Sequence, residues 1–284
     1  MVTVPIAAEA VLHIGALPVT NAQINATLAL VVFIVIAIFL NRRLKMRPGK
    51  FQNFIEATLE WVMGYFDQVT RDREKSKKFL PLVGTLFFFI LISNWMGLLP
   101  GTGSIGFWHV VGRTREWIPL LRPAASDLNL TLAMALVSVV SAHVIGGSTL
   151  GWWTHINKFF PFNSLVKALK TLSPIKILTA LIEFLAGSIE FVGEIAKVAS
   201  LSLRLFGNVF AGEVLMTVMA SLLAYVLPIP FMALELIVGI VQATVFALLT
   251  LVYLTVLSMP PHGERHEEHP KKITSHASAI AADS

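Results

Sequence analysis

Long apolar runs alternate along the chain with short polar and basic segments, and that alternation predicts its elements. The first run, about Asn25 to Leu40, has no ionisable side chain and reads as a membrane span. NRRLKMRPGK follows, with five basic residues in ten. Across 51–69, Phe51, Phe54, Ile55, Thr58, Leu59, Val62, Tyr65, Phe66 and Val69 recur at i, i+3, i+4 spacing, while Gln52, Asn53, Glu56 and Glu60 occupy the other face. This spacing predicts an amphipathic helix lying in the membrane interface. A second span is expected from about Phe79 to Leu99, and a third from about Leu128 to Gly147, capped by Asp127.

The last apolar region is different. No proline occurs from Ile175 to Leu227, a stretch of 53 residues. One continuous helix of that length would measure about 80 Å, against about 30 Å of hydrocarbon. It either breaks or runs steeply tilted. Pro228 and Pro230 are expected to form a turn, and Phe231 to Ser258 a second long helix, giving a tilted hairpin.

Composition supports the membrane reading: 55% of the 284 residues are hydrophobic and 14% charged, where soluble domains carry about 25% charge. The absence of cysteine excludes disulfides, thiolate metal sites and cysteine nucleophiles. MVTVPIAAEAVLHIG lacks the basic n-region of a secretory signal. The basic pI of about 9.6 arises in loops, where it sets topology; no nucleic-acid partner is expected. Of 22 Lys and Arg, 17 fall in segments 41–80, 151–176 and 259–284, and three in 100–127. The positive-inside rule therefore places the N-terminus outside and the C-terminus in the cytoplasm. The expected organisation is an outside segment (1–24), three spans with the interfacial helix (25–150), a cytoplasmic loop with the long hairpin (151–258) and a cytoplasmic tail (259–284).

Polar residues inside the hairpin carry the candidate chemistry. Glu183, Glu190, Glu194, Lys197, Arg204 and Asn208 are spaced 7, 4, 3, 7 and 4 apart, so they share an arc of roughly 80° on a helix. Gly193, Ser200 and Gly207 line one edge, where another helix can approach closely. The stripe is thus expected to face a partner or a water-filled cavity. Glu213 projects about 180° away from Arg204, suited to a different compartment. On the second helix Glu235, Gln242 and Tyr253 share a face.

Carboxylates can take up and release protons, whereas arginine stays protonated and can only attract or repel. Such a set can separate two proton half-paths. The simpler reading for Glu194 and Lys197 is a packing ion pair at i, i+3. Gly101, Gly103 and Gly106 match G-x-G-x-x-G, but no βαβ unit surrounds them. His262, His266 and His269 lie in a solvated tail, and His143, the only ionisable residue of the third span, reads first as a packed or water-bonded histidine and second as a group with a role near a channel. No metal or cofactor is expected.

SLSLRLFGNVFAGE with ELIVGIVQATVFALLTLVYL, SNWMGLLP and PAASDLNLTLAMAL closely resembles the subunit a family of the F-type ATP synthase membrane sector, from about residue 25 onward. The resemblance implies five membrane-crossing helices, an interfacial helix and two long tilted helices against a rotating ring of c subunits. It further implies b-type peripheral stalk subunits as partners and a bacterial inner membrane as location. By the same resemblance Arg204 faces the ring carboxylate and Asn208 and Gln242 lie close to it. Glu213 and Glu235 line the outer half-channel, and Glu190 the cytoplasmic one. Glu194 and Tyr253 rest on the stripe and face arguments. In many relatives one of the Glu213/Glu235 pair is histidine; here both are glutamate. Gly97 stands where some relatives have an acidic residue. The implied function is a stator subunit that moves protons and catalyses no covalent chemistry. A self-contained proton-coupled transporter is the alternative, although no internal repeat of the kind such proteins show is found.

Overall fold

The computed structural model describes residues 8–259 except 16, 44–48, 100, 103–104, 112–113, 160, 162–169, 171–173 and 224–225. The tail histidines, the third glycine-motif position at 103 and much of the basic loop segments lie outside the described residues. Seven helices are described: α1 (Asn21–Arg43), α2 (Lys50–Thr70), α3 (Arg73–Gly97), α4 (Leu128–Leu150), α5 (Trp152–Phe159), α6 (Pro174–Leu222) and α7 (Pro228–Leu257).

Two short antiparallel hairpins modify the all-helical expectation. Strands β1 (Ala10–Ile14) and β2 (Leu17–Thr20) pair before α1, and β3 (Gly106–Val111) and β4 (Thr114–Pro119) pair between α3 and α4. Gly15 turns the first hairpin at φ +64°, a region that costs glycine nothing. These segments are too short to span, so period-3.6 and span-length tests pass over them. The polar start of α1 then fastens this end of the molecule. Buried Asn21 donates to the Pro119 carbonyl at 3.2 Å, and buried Asn25 to the Arg122 carbonyl at 2.8 Å.

Helix α2 is the expected amphipathic one. Its second half buries Val62, Met63 and Phe66, while Phe51 and Phe54 stay exposed. The chain reverses between α2 and α3 through Arg71 in the left-handed region, and Asp72 caps α3 by accepting from the Glu74 amide at 2.9 Å. Asp67 pairs with Arg73 across this corner. The Ser76 hydroxyl and the Arg73 guanidinium hold the Asp67 carboxyl below its usual 3.8. Because the folded value is depressed, the corner's support from Asp67 is complete above the unfolded value and lost as pH falls through the folded one. Amide hydrogen exchange at residues 67–76, corrected for intrinsic rates, is expected to accelerate as pH drops below 3.8. An Asp67→Asn variant should lack that acid-dependent step.

The core forms where α3, α4, α6 and α2 meet α7. Phe66, Phe79, Val83, Phe87, Ile90, Leu201, Leu205, Phe246, Leu251 and Leu254 are buried there. Fully burying side chains of this size is worth about 1.5–3 kcal/mol each against water; within a bilayer their contribution comes from packing instead. Ser138 donates to Thr250 at 2.8 Å, a buried polar tie between α4 and α7. Asp127 caps α4 as expected, accepting from the Asn129 amide.

Helices α1, α3, α4 and α7 are long and apolar enough to cross a membrane. Helix α6 is longer, 49 residues without interruption, and carries Glu183, Glu190, Glu194, Lys197, Arg204 and Glu213 along its length. Of the two outcomes its length allowed, the unbroken one occurs. Pro228 and Pro230 differ from expectation: they lie in the first turn of α7, not in the turn before it. The first turn has no intrahelical partner for its N–H groups, so proline costs nothing there.

Candidate functional site

Helix α6 carries polar groups to two sides of the bundle. On one side lies a cavity of about 570 Å³. Its walls include Asn94 and Gly97 of α3, Arg122 of the following loop, Glu213 and Thr217 of α6, and Glu235 and Gln242 of α7. Glu213 and Glu235, remote in sequence, are thus brought to one chamber. The Glu235 carboxylate presses so closely on Gly212 that a Cβ there would collide with it. Gly97 performs a similar service, since a Cβ would meet Pro123 at 2.8 Å. That contact accounts for glycine at Gly97 by packing.

Arg122 holds Glu213. Its Nε donates to both carboxylate oxygens, at 2.8 and 3.0 Å, and its side chain is only 3% exposed. A charge-assisted, two-oxygen contact of this kind is among the stronger polar interactions available. Sequence reasoning missed it. Arg122 entered only as one of three basic residues in the outer loop, and nothing periodic links positions 91 apart. Its place just ahead of the Asp127 cap was the one usable signal.

On the other side, the predicted stripe splits. Arg204, Asn208, Glu183 and Glu190 are exposed, whereas Glu194 is 5% exposed and turned into the bundle. Glu194 sits near one margin of the 80° arc and Arg204 at the other, so packing of α4 and α5 against α6 takes in the first and leaves out the second. The stripe therefore does not face a single environment. Glu194 accepts from Lys197 at 2.5 Å, the local ion pair its i, i+3 spacing allowed. The Lys197 ammonium also lies 5.1 Å from the centre of the Tyr253 ring, a cation–π contact. His143 approaches Glu194 at 3.6 Å and His155 at 3.0 Å. His155, from α5, had no place in the sequence reading.

Arg204 touches Ser200 at 3.4 Å and otherwise projects outward. One turn on, Asn208 donates to Gln242 at 2.7 Å. Gln242 is 4% exposed and also lines the cavity. This amide pair connects the two sides of α6: the chamber with Glu213 and Glu235, and the open face with Arg204. Among the described residues, nothing lies within 4 Å of where a Cβ would stand on Gly193 or Gly207 of that face.

The family model described as ATP synthase A chain matches residues 23–255. Similar curated proteins are each named ATP synthase subunit a. That of Mycobacterium ulcerans is 35% identical over 239 residues, covering 82% of this chain and 85% of the relative. That of Trichlorobacter lovleyi is 30% identical over 234 residues, covering 82% and 85%. That of Moorella thermoacetica is 28% identical over 247 residues, covering 86% and 93%. The match spans every membrane helix and both polar clusters described above, and on that ground this chain belongs to the ATP synthase subunit a family.

Proposed function

We propose that the chain is the stator subunit of a rotary ATP synthase and offers two offset proton half-channels to the carboxylates of a c-subunit ring. The observation that carries this is the division of α6: a cavity lined by Glu213 and Glu235 on one side, an exposed Arg204 on the other, and the Asn208–Gln242 pair between them. A proton from outside enters the chamber past Glu235 and Glu213 and reaches a ring carboxylate. The neutralised carboxyl travels through lipid and releases its proton on the cytoplasmic side near Glu190 and Glu194. Arg204, permanently charged, attracts the ionised carboxylate and repels a passing hydronium ion. Tyr253, beside Lys197, lines the same cytoplasmic side. The subunit itself performs no covalent chemistry.

Several features support the docking of a ring on the Arg204 face. Ile182 and Ile189 are 58 and 73% exposed, and the open flanks of Gly193 and Gly207 admit another helix closely. A helix of 49 residues is about 73 Å long, so it lies strongly tilted and adds a fifth crossing to the four apolar helices. The exposed aromatic half of α2 rests in the interface on the cytoplasmic side. Peripheral stalk subunits of b type complete the stator, in a bacterial inner membrane with the N-terminus outside and the C-terminal tail in the cytoplasm.

Reconstitution tests the reading against a self-contained transporter. Liposomes containing this chain alone are expected to show no proton flux above lipid background under an imposed potential. Adding the c ring and the stalk subunits should produce it. Flux from the chain alone, equal to that of the assembled sector, would favour the transporter.

A further inference from the structure

A second set of titratable side chains lies towards the end of α4 away from the acidic chamber, where α5 folds back against α6. His143 of α4 stands between two partners. Its Nδ1 is 3.0 Å from Nε2 of His155 on α5, and its Nε2 is 3.6 Å from Oε2 of Glu194 on α6. His155 is 4% exposed and Glu194 5%. Glu194 Oε2 is buried and makes no hydrogen bond among the described residues. A shift of about half an ångström would bring it within hydrogen-bond range of His143.

The enclosure is built for the two rings. Phe159 packs against both, at 5.6 Å between ring centres. At Gly146 a Cβ would meet the His155 ring at 3.0 Å and the Leu257 carbonyl at 2.7 Å, so the ring fits between α4 and α7 only because that residue is glycine. Among the described residues, the further charged and titratable groups recorded beside the pair are Lys197, on Glu194 at 2.5 Å, and Tyr253 of α7, under the Lys197 ammonium. The arrangement is not a chelate. Glu194 and His155 approach opposite nitrogens of one imidazole, so their ligating atoms do not converge on one point, as a metal ion requires.

Resting on the proton-translocating reading above, we propose that His143 and His155 form a two-imidazole relay that carries protons between Glu194 and the α5 end of the bundle. An imidazole suits this because it can accept at one nitrogen while donating from the other. In the outward sense the Glu194 carboxyl O–H gives its proton to His143 Nε2. His143 then gives its Nδ1 proton to His155 Nε2, and His155, whose Nδ1 is buried, gives the proton on that atom to a water molecule admitted at the α5 end. One proton enters and one leaves, the Glu194 carboxylate is left beside Lys197, and the tautomers reset before the next transfer. The path on this side of α6 thus runs inward through α4 and α5, in addition to any route along its exposed face.

The test uses the assembled ATP synthase in inverted vesicles, with His143→Gln and His155→Gln made separately. Glutamine can hydrogen-bond but cannot relay a proton. Passive proton conductance after removal of the catalytic sector, and ATP-driven acidification before it, are followed from about pH 5 to pH 8. Each variant is expected to lose conductance about tenfold or more and to lose the pH dependence present in the parent. Added imidazole should restore part of the flux in a His155→Gly variant.

Normal conductance with the parent pH profile in both variants would overturn the relay. So would reduced conductance with an unchanged profile and no imidazole rescue, the behaviour of a packing clamp. Failure of both glutamine variants to assemble counts against it too, since glutamine retains the hydrogen bonding that packing needs. Arg204→Ala, run in parallel, separates the levels: if it abolishes pumping while the histidine variants pump normally, the relay alone fails. If Arg204→Ala still pumps, the underlying reading fails.

Discussion

Inverted vesicles carrying Arg204→Ala are expected to show no ATP-driven acidification, while proton leak through the membrane sector rises once the catalytic sector is removed. A cation inside a bilayer is costly, roughly 3 kcal/mol at mid-depth on insertion scales, and a chain retains one only where it meets water or a counter-charge. Among the described residues, Arg204 is exposed and has only Ser200 within hydrogen-bond reach. Its counter-charge is therefore sought on the proposed ring. Alanine removes both the attraction for an ionised carboxylate and the barrier to a hydronium ion, so coupling fails and leakage grows. Arg204→Lys keeps the charge but replaces a planar, permanently protonated group by a point charge that can lose its proton when desolvated. It should not restore pumping. Retained acidification in Arg204→Ala would remove Arg204 from the mechanism.

The second large effect is structural. Arg122→Met strands Glu213, which is 16% exposed at its side chain, without the guanidinium it faces. Removing one partner of a buried ion pair typically costs about 3–5 kcal/mol; the neighbouring cavity lets water reach the carboxylate, so the lower end applies. The Asn25 contact is to the Arg122 backbone carbonyl and survives the change, which confines the loss to the ion pair. Arg122→Met combined with Glu213→Gln removes both charges and should recover most of the lost stability, because an apolar side chain and a neutral amide carry no uncompensated charge. Thermal inactivation of the detergent-solubilised complex measures it. Equal stability of the single and double variants would show that the pair contributes nothing. Neither variant should pump normally, since Glu213 lines the proposed outer path.

These two arginines differ in how far the sequence revealed them. Arg204 interrupts an apolar run, so its cost alone marks it, and the helical angle to Glu213 follows from counting residues. Asn208 and Gln242 were each visible as polar positions on apolar helices. Their 2.7 Å hydrogen bond required the hairpin to close in one register. His143 was visible as the only ionisable residue of the third span, though its partners were not. Arg122 and His155 carry no such mark. In a loop or at a helix end a charged or titratable residue costs little, so its presence says nothing about its partner.

What the amino-acid order determined by itself was the set of elements and their faces: the apolar spans, the amphipathic α2, the Asp127 cap and the proline-free length of α6. These depend on local periodicity and on the expense of putting charge in hydrocarbon, both readable within one segment. What only tertiary structure decided was which face met which: Glu213 and Glu235 in one chamber with Arg122, Glu194 turned in while Arg204 stays out, and two histidines in line with a carboxylate. Those outcomes follow from packing between segments distant in sequence, where an angular difference of under a quarter-turn on α6 separates a buried carboxylate from an exposed cation.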